Sequence, residues 1–208
     1  LSNRKIVAWI AAVFFAVESV DIWNSQLIRP DTLAVFFALG AVFFALRIVD
    51  DPSLPNYILA GIGLGLATSS KYNLVFAVVP ILIAHILRFG RGCLFRKEIY
   101  AAALASIVAF CITTPYALLD SSTFLQWFLF DATHYSDGHL SLDRNSFQWY
   151  LVFLWNTQGW ILLLAFVNGL VGLLRRSSKG LVLLSFVVSY VAFVGLFQVH
   201  YDSTIMPA

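Results

Sequence analysis

Long apolar runs separated by short polar connections constrain this chain more than any other feature of its sequence. Of its 208 residues, 60% are hydrophobic and only 12% carry a charge, whereas soluble domains carry about 25% charged residues. Because a water-soluble fold of this size cannot hide so much apolar surface, we expect an all-α, polytopic transmembrane helix bundle. No basic run with interleaved aromatic residues indicates nucleic-acid binding.

The apolar runs have the lengths of membrane-spanning helices. A helix needs about 20 mostly apolar residues to cross roughly 30 Å of hydrocarbon. Residues 55–89 are interrupted by Lys71-Tyr72-Asn73, and as one helix they would be about 52 Å long, so we expect two helices with a polar hinge at Lys71. The sequence then predicts about seven crossings, over residues 6–23, 32–49, 55–70, 74–89, 99–119, 149–174 and 180–199.

The positions of the basic residues support this count. Most of the 13 Lys and Arg residues fall on one predicted side, which the positive-inside rule assigns to the cytoplasm. These residues are Arg4, Lys5, Arg47, Arg88, Arg91, Arg96, Lys97, Arg175, Arg176 and Lys179. We therefore expect a multi-pass protein of the plasma membrane (the bacterial or archaeal inner membrane), with a cytoplasmic N-terminus and an extracytoplasmic C-terminus.

The outer connection 120–148 has structure of its own. Its apolar block at 124–130 is too short to span a membrane, so we expect a helix lying in the membrane interface, with a turn signal at Asp137-Gly138. Nothing marks a second domain, and we expect one transmembrane domain over residues 1–208.

Two outer positions allow both a plain structural and a functional interpretation. Asp31 follows Arg29-Pro30 and can cap the next helix, or it can be a carboxylate that binds a metal or an acceptor. Lys71 can be a simple turn residue, or an ammonium that binds an anionic phosphate. Gly61, Gly63 and Gly65 just before it permit close approach of either a helix or a ligand.

The histidines of the outer side form a second candidate group. His134 and His139 lie in one loop, and His200 follows the last crossing. Neutral imidazole and carboxylate suit zinc or manganese, although the spacing matches no compact zinc motif, and substrate contact is the alternative. Together, the carboxylates, the ammonium, the imidazoles and the aromatic residues of the outer face favour transfer of a group from a lipid-borne phosphate donor to a hydroxyl. A carboxylate would act as base, and a cation or metal would stabilise the leaving phosphate. His85, in an apolar helix, is expected to be packed and hydrogen-bonded.

Three stretches resemble one family when they are taken together. They are Arg29-Pro30-Asp31 opening a helix, the run GIGLGLATSSKY at 61–72, and TPYALLD at 114–120 followed by Phe124 and by His134-Tyr135…Gly138-His139. The combination resembles glycosyltransferase family 39, the protein mannosyltransferase and aminoarabinose transferase-like enzymes of the GT-C membrane fold.

The resemblance implies a polyprenyl-phosphate-linked sugar donor and inverting transfer to a hydroxyl of a lipid, glycan or protein acceptor on the extracytoplasmic face. It also implies a divalent metal in many members (Mg, Mn or Zn). Asp31 would lie near the metal or the acceptor, as the candidate catalytic residue, and Lys71 near the donor phosphate. Asp31 and His134 are the candidate metal ligands. The candidate substrate-binding residues are Arg29, Lys71, Tyr72, His134, Tyr135, His139, His200 and Tyr201.

Two departures from the family pattern shape the expectation. The family's principal catalytic acidic residue lies in a first outer loop after a helix that this chain lacks, and Ser203-Thr204 stand where relatives often have Arg-Tyr. We therefore expect a fragment of a longer chain, inactive alone. A membrane transporter and a non-catalytic membrane assembly subunit are the alternatives, and the gathering of polar residues at one face disfavours the transporter.

Overall fold

The computed structural model describes residues 3–17, 19–27, 29–137, 146–175, 177–199 and 202–205. In this described part every regular element is helical, so the chain is all-α, as predicted. Two segments, Tyr72–Ala77 and Gly90–Phe95, are 3₁₀ helices. The α-helices are α1 (Asn3–Ala16), α2 (Ser19–Ser25), α3 (Asp31–Asp50), α4 (Leu54–Ser70), α5 (Val78–Phe89), α6 (Lys97–Thr113), α7 (Tyr116–Leu119), α8 (Ser121–Asp137), α9 (Ser146–Gln158), α10 (Trp160–Leu174), α11 (Ser178–Val194) and α12 (Asp202–Ile205).

Helices α3 and α4 form the centre of the bundle and pack through small side chains. Ala34, Ala38, Ala41 and Ala45 recur every three or four residues along α3 and are fully or almost fully buried, as one face of a helix requires. A Cβ added at Gly63 of α4 would come within 2.9 Å of the backbone nitrogen of Ala41. The two backbones are therefore in direct contact, the packing that small residues allow between membrane helices.

The opposite side of α4 is equally close to α6. A Cβ added at Gly61 would overlap the carbonyl oxygen of Ala102, and one added at Gly65 would overlap that of Ser106. Gly61 and Gly65 are four residues apart and so lie on one face, whereas Gly63 lies on the other. Of the two interpretations open from the sequence, the three glycines serve close helix packing.

Contacts at the two ends of the bundle define two groups of residues. We call the end with Asp31, Lys71, Thr114 and Tyr190 the outer end, because predicted outer connections meet there. The inner end holds the other ends of α3 and α5, and there Lys179 pairs with Asp50 at 2.5 Å. His85 is packed there as expected: it is 3% exposed, and its ring contacts the Tyr57 hydroxyl at 2.6 Å and the Cys93 carbonyl at 2.9 Å.

Two predicted crossings are interrupted in the structure. The segment predicted as 99–119 ends as a helix at Thr113, and α7 forms a separate turn, because Pro115 lacks an N–H and keeps the preceding residue out of the helical region. The segment predicted as 149–174 is divided into α9 and α10 at Gly159, whose φ of +49° favours glycine. Both segments are long and apolar enough to be predicted as single crossings, so their hydrophobicity does not indicate these breaks.

The other predicted crossings lie close to observed helices. The segments 32–49 and 55–70 coincide with α3 and α4, and 74–89 with the first 3₁₀ segment and α5, while 180–199 corresponds to α11, which ends at Val194. The segment 6–23 corresponds to α1 and α2, between which residue 18 lies outside the described residues.

Within the described residues, two helical segments are long and apolar enough to cross a membrane, Asp31–Asp50 and Tyr72–Phe95. Helices α4 and α6 have 17 residues each, the lower limit of about 17 for a spanning helix. The number of crossings, their orientation and the single-domain boundaries stay predictions.

Helix α8 occupies the outer connection where a helix was expected. Asp120 precedes it and accepts hydrogen bonds from the backbone N–H of Thr123 at 3.2 Å and from the Ser122 hydroxyl at 3.0 Å, as an N-cap residue does. The bonds from Thr123, and then that from Ser122, hold the pKa of the Asp120 carboxyl below its usual range. Trp127 and Phe130 are exposed on α8, which suits an interfacial helix; its depth in the membrane stays a prediction.

Glycine packing generates the first testable prediction. Gly61→Ala and Gly65→Ala in the full-length protein should each lower the free energy of unfolding by about 1–3 kcal/mol, because the added methyl group forces α4 and α6 apart. Gly40→Ala on α3 is the matched control, since a Cβ there meets nothing within 4 Å and alanine has the higher helix propensity. Thermal unfolding in detergent measures both, and equal stability of all three variants contradicts the packing.

Candidate functional site

The hinge predicted at Lys71 is the centre of the outer end. Helix α4 ends at Ser70, and Lys71 is extended, with φ −154° and ψ 113°. Its backbone N–H still bonds the Ala67 carbonyl at 2.9 Å, and its own carbonyl accepts from Leu74 N–H at 3.0 Å. The hinge is therefore a defined turn whose backbone groups are satisfied, and it directs the Lys71 side chain towards the start of α3.

Lys71 forms an ion pair with Asp31. Its Nζ lies 2.5 Å from Oδ1 of Asp31, and the two side chains are 16% and 9% exposed. The interpretation of Asp31 as a helix cap is wrong: α3 begins at Asp31 itself, Pro30 is the N-cap residue, and no side chain caps the helix. The Asp31 carboxylate pairs with the Lys71 ammonium, which is distant in sequence, instead of accepting a hydrogen bond from the local backbone. The positive end of the α3 dipole still favours the negative charge of this carboxylate.

The outer end also brings together two of the stretches that carry the family resemblance. The hydroxyl groups of Ser69 and Thr114 lie 2.7 Å apart, which joins the end of α4 to the end of α6. Tyr72 packs edge-on against two rings of α8, with centroids 6.0 Å from Phe124 and 5.3 Å from Phe128. The Tyr72 ring thus packs on α8, and its role in substrate binding stays a prediction.

Sequence reasoning missed a hydrogen-bond chain at this end. Nδ2 of Asn73 donates to the Tyr190 hydroxyl at 3.0 Å, and this hydroxyl donates to the Thr204 carbonyl at 2.6 Å. Asn73 could have been singled out because it follows Lys71 in the hinge. Tyr190 carries no such signal, since it sits in an apolar run and its partners are distant in sequence.

The structure describes the remaining candidate residues to different extents. Arg29 is exposed, two residues before Asp31. The backbones of His134 and Tyr135 belong to the last turn of α8, but their side chains lie outside the described part, as do all of His139, His200 and Tyr201. Their roles in substrate binding stay predictions.

The described residues show no cluster of side chains that could by itself hold a divalent metal. No three His, Cys, Asp or Glu side chains come together among them. Asp31, the first candidate ligand, faces an ammonium, and a positive charge at this distance repels a divalent cation. Metal ligation by Asp31 and His134 stays a prediction, since the second side chain lies outside the described residues.

An apolar groove leads along α4 and α6 towards the outer end. Its volume is about 510 Å³, and its lining is almost wholly hydrocarbon. It extends from Ile58 and Ala101 to Leu66, Ile112 and Thr113, so its last residues are close in sequence to Ser69 and Thr114. Its shape and chemistry suit an aliphatic chain.

Comparisons with known proteins place the chain among membrane glycosyltransferase relatives by sequence. A family model described as dolichyl-phosphate-mannose-protein mannosyltransferase matches residues 2–118, a range that contains Asp31, Lys71 and Thr114. The chain is 35% identical over 119 residues to the lipopolysaccharide core galacturonosyltransferase RgtB of Rhizobium johnstonii, covering 56% of this chain and 23% of that protein. It is 36% identical over 124 residues to dolichyl-phosphate-mannose–protein mannosyltransferase 1 of Saccharomyces cerevisiae, covering 55% of this chain and 15% of that protein.

The matched part is therefore less than a quarter of the length of either relative. No solved structure matches the chain.

The two ion pairs generate a prediction about stability. Removing one partner of the mostly buried pair, by Asp31→Ala or Lys71→Ala, should lower the free energy of unfolding by about 3 kcal/mol, because the remaining charge is left buried. Lys179→Ala is the matched control: Lys179 and Asp50 are also 2.5 Å apart, but their side chains are 51% and 63% exposed, and exposed pairs contribute at most about 1 kcal/mol.

Thermal unfolding of the full-length protein in detergent measures these differences. The double variant Asp31→Ala/Lys71→Ala should be more stable than Lys71→Ala, since it does not leave the Asp31 carboxylate buried without its counter-charge. Similar losses of unfolding free energy at the outer and the inner pair would contradict the burial of Lys71 and Asp31.

Proposed function

Since the chain belongs to the dolichyl-phosphate-mannose-protein mannosyltransferase family, whose model matches residues 2–118, we propose that it is part of a membrane glycosyltransferase. The enzyme moves a sugar from a polyprenyl-phosphate-linked donor to a hydroxyl of a lipid, glycan or protein acceptor on the extracytoplasmic face, with inversion at the anomeric carbon. The names of both relatives, one a galacturonosyltransferase and one a mannosyltransferase, support sugar transfer over the transporter and the assembly subunit.

The observation that carries the proposal for this chain is the mostly buried ion pair of Lys71 and Asp31 at the outer end. An ammonium has three N–H donors, so it can hold Asp31 and a phosphate oxygen together. Partial burial strengthens its attraction for an anion relative to bulk water. We assign Lys71 to the donor phosphate and Asp31 to the orientation of the Lys71 ammonium.

The chemistry then follows from a single displacement. The acceptor oxygen forms a bond to the anomeric carbon while the bond from that carbon to the phosphate oxygen breaks, and the electron pair leaves with the polyprenyl phosphate. Negative charge grows on the leaving phosphate, and Lys71 stabilises it. The acceptor proton passes to a carboxylate base.

The polyprenyl chain needs an apolar path beside the phosphate. The groove of about 510 Å³ between α4 and α6 supplies one, and it lies open on the apolar surface of the bundle. Leu66 of α4 and Ile112 of α6 line it near the outer end, which would place a lipid phosphate close to the Lys71 hinge. The lipid bilayer is thus both the solvent of the bundle and the source of its donor.

This proposal predicts a specific loss of transfer. In the full-length protein, Lys71→Ala should lower sugar transfer by about 100- to 1,000-fold, the effect of removing one group that stabilises charge in the transition state. Lys179→Ala, which removes the cation of the exposed inner pair, should leave transfer unchanged. The measurement is the transfer rate from a radiolabelled polyprenyl-phosphate sugar into membrane-bound product.

Because Lys71→Ala also breaks the ion pair, a second variant separates chemistry from folding. Asp31→Asn/Lys71→Gln removes both charges and keeps polar side chains at both positions, so it should remain folded and still fail to transfer sugar. Normal transfer by this folded double variant would refute the assignment of Lys71 to the donor phosphate.

A further inference from the structure

The hydrogen-bond chain from Thr204 through Tyr190 to Asn73 has a fixed direction. The Thr204 carbonyl can only accept, so the Tyr190 hydroxyl donates its hydrogen to it at 2.6 Å. The Tyr190 oxygen is then an acceptor towards Asn73, which must present its NH₂ group at 3.0 Å. The network thereby settles which way the Asn73 carboxamide is turned.

The same logic leaves the other end of the Asn73 carboxamide without a partner. Its Oδ1 is buried and has no hydrogen-bond partner among the described residues. Buried polar atoms in native proteins are nearly always paired, and a carboxamide oxygen can only accept. The missing partner is therefore a hydrogen-bond donor.

The groups that hold the Asn73 carboxamide are buried. Tyr190 is fully buried, and Thr204 is 2% exposed. The Tyr190 ring stacks on Phe186 with centroids 5.8 Å apart. Asn73 as a whole residue is partly exposed at the outer end, although its Oδ1 is buried. Two buried groups thus aim a polar atom that sits beside the candidate phosphate site.

We propose that Asn73 accepts a hydrogen bond from a hydroxyl group of the donor's sugar, and that Tyr190 is the positioning residue that turns the Asn73 oxygen towards it. This inference rests on the proposed function. Asn73 is two residues from Lys71, so their Cα atoms are within about 7.6 Å of each other. The sugar of a polyprenyl-phosphate donor is joined directly to the phosphate assigned to Lys71, so its hydroxyl groups are the nearest donors of a bound substrate.

The test compares two lipids that differ only in the sugar. Full-length protein in nanodiscs is titrated with polyprenyl phosphate and with polyprenyl-phosphate mannose or galacturonic acid, whichever sugar the wild type binds more tightly. Asn73→Ala should weaken binding of the sugar-linked lipid about tenfold, the size of one hydrogen bond, and leave binding of polyprenyl phosphate unchanged. Tyr190→Phe should act in the same direction but less strongly, because the carboxamide can then rotate.

A matched control and three contrary results complete the design. Asn168→Ala, which removes an exposed carboxamide bonded to the Leu164 carbonyl on α10, should change neither affinity. An unchanged preference for the sugar-linked lipid in Asn73→Ala overturns the proposal. An equal loss for both lipids does so too, since a purely structural role weakens both. A change confined to the KM of the acceptor overturns the assignment to the donor's sugar.

The inference and the proposed function fail in different ways. Wild-type protein that binds neither lipid contradicts both. Wild-type protein that binds both lipids, loses both on Lys71→Ala and keeps its sugar preference on Asn73→Ala contradicts only the role of Asn73.

Discussion

The structure depends on how closely α4 approaches its two neighbours. Gly63 brings its backbone against Ala41 of α3, and Gly61 and Gly65 bring it against α6. This packing fixes the end of α4 relative to both helices, so Lys71 meets Asp31 and Ser69 meets Thr114. The glycines themselves do no chemistry, but without backbone contact on two sides the ammonium of Lys71 would not be held at one position beside the carboxylate.

Each end of the bundle has a Lys–Asp ion pair, and the two pairs differ in their exposure to water. Lys179 and Asp50 pair at the inner end as exposed side chains, whereas Lys71 and Asp31 are largely withdrawn from water at the outer end. A withdrawn ion pair is a poor means of stabilisation, because desolvation offsets most of its attraction. Its presence at the outer end, beside an apolar groove and the Asn73 carboxamide, fits a site that binds an anion.

Local and compositional signals predicted the helical class and the hinge at Lys71, because a polar triplet inside an apolar run has few other solutions. They failed where two rules competed. The signals for helix breaks at Pro115 and Gly159 counted for less than the apolar length of the two segments. Asp31 was open to a local capping role because its partner is 40 residues away. Asn73 and Tyr190 could not be paired from the sequence, since their contact depends on how α11 packs against the hinge.

The central claim is that the ammonium of Lys71 contacts the phosphate of a polyprenyl-phosphate lipid. Solid-state NMR of the full-length protein in bilayers of phosphorus-free glycolipid, with ¹⁵N-labelled lysine and bound polyprenyl phosphate, measures this contact directly. The account predicts ³¹P-dependent dephasing of one lysine ¹⁵Nζ signal, as expected for an ion pair within about 4 Å, and its absence in Lys71→Arg. Bound lipid with no dephased lysine signal, or with a dephased signal that persists in Lys71→Arg, would contradict it.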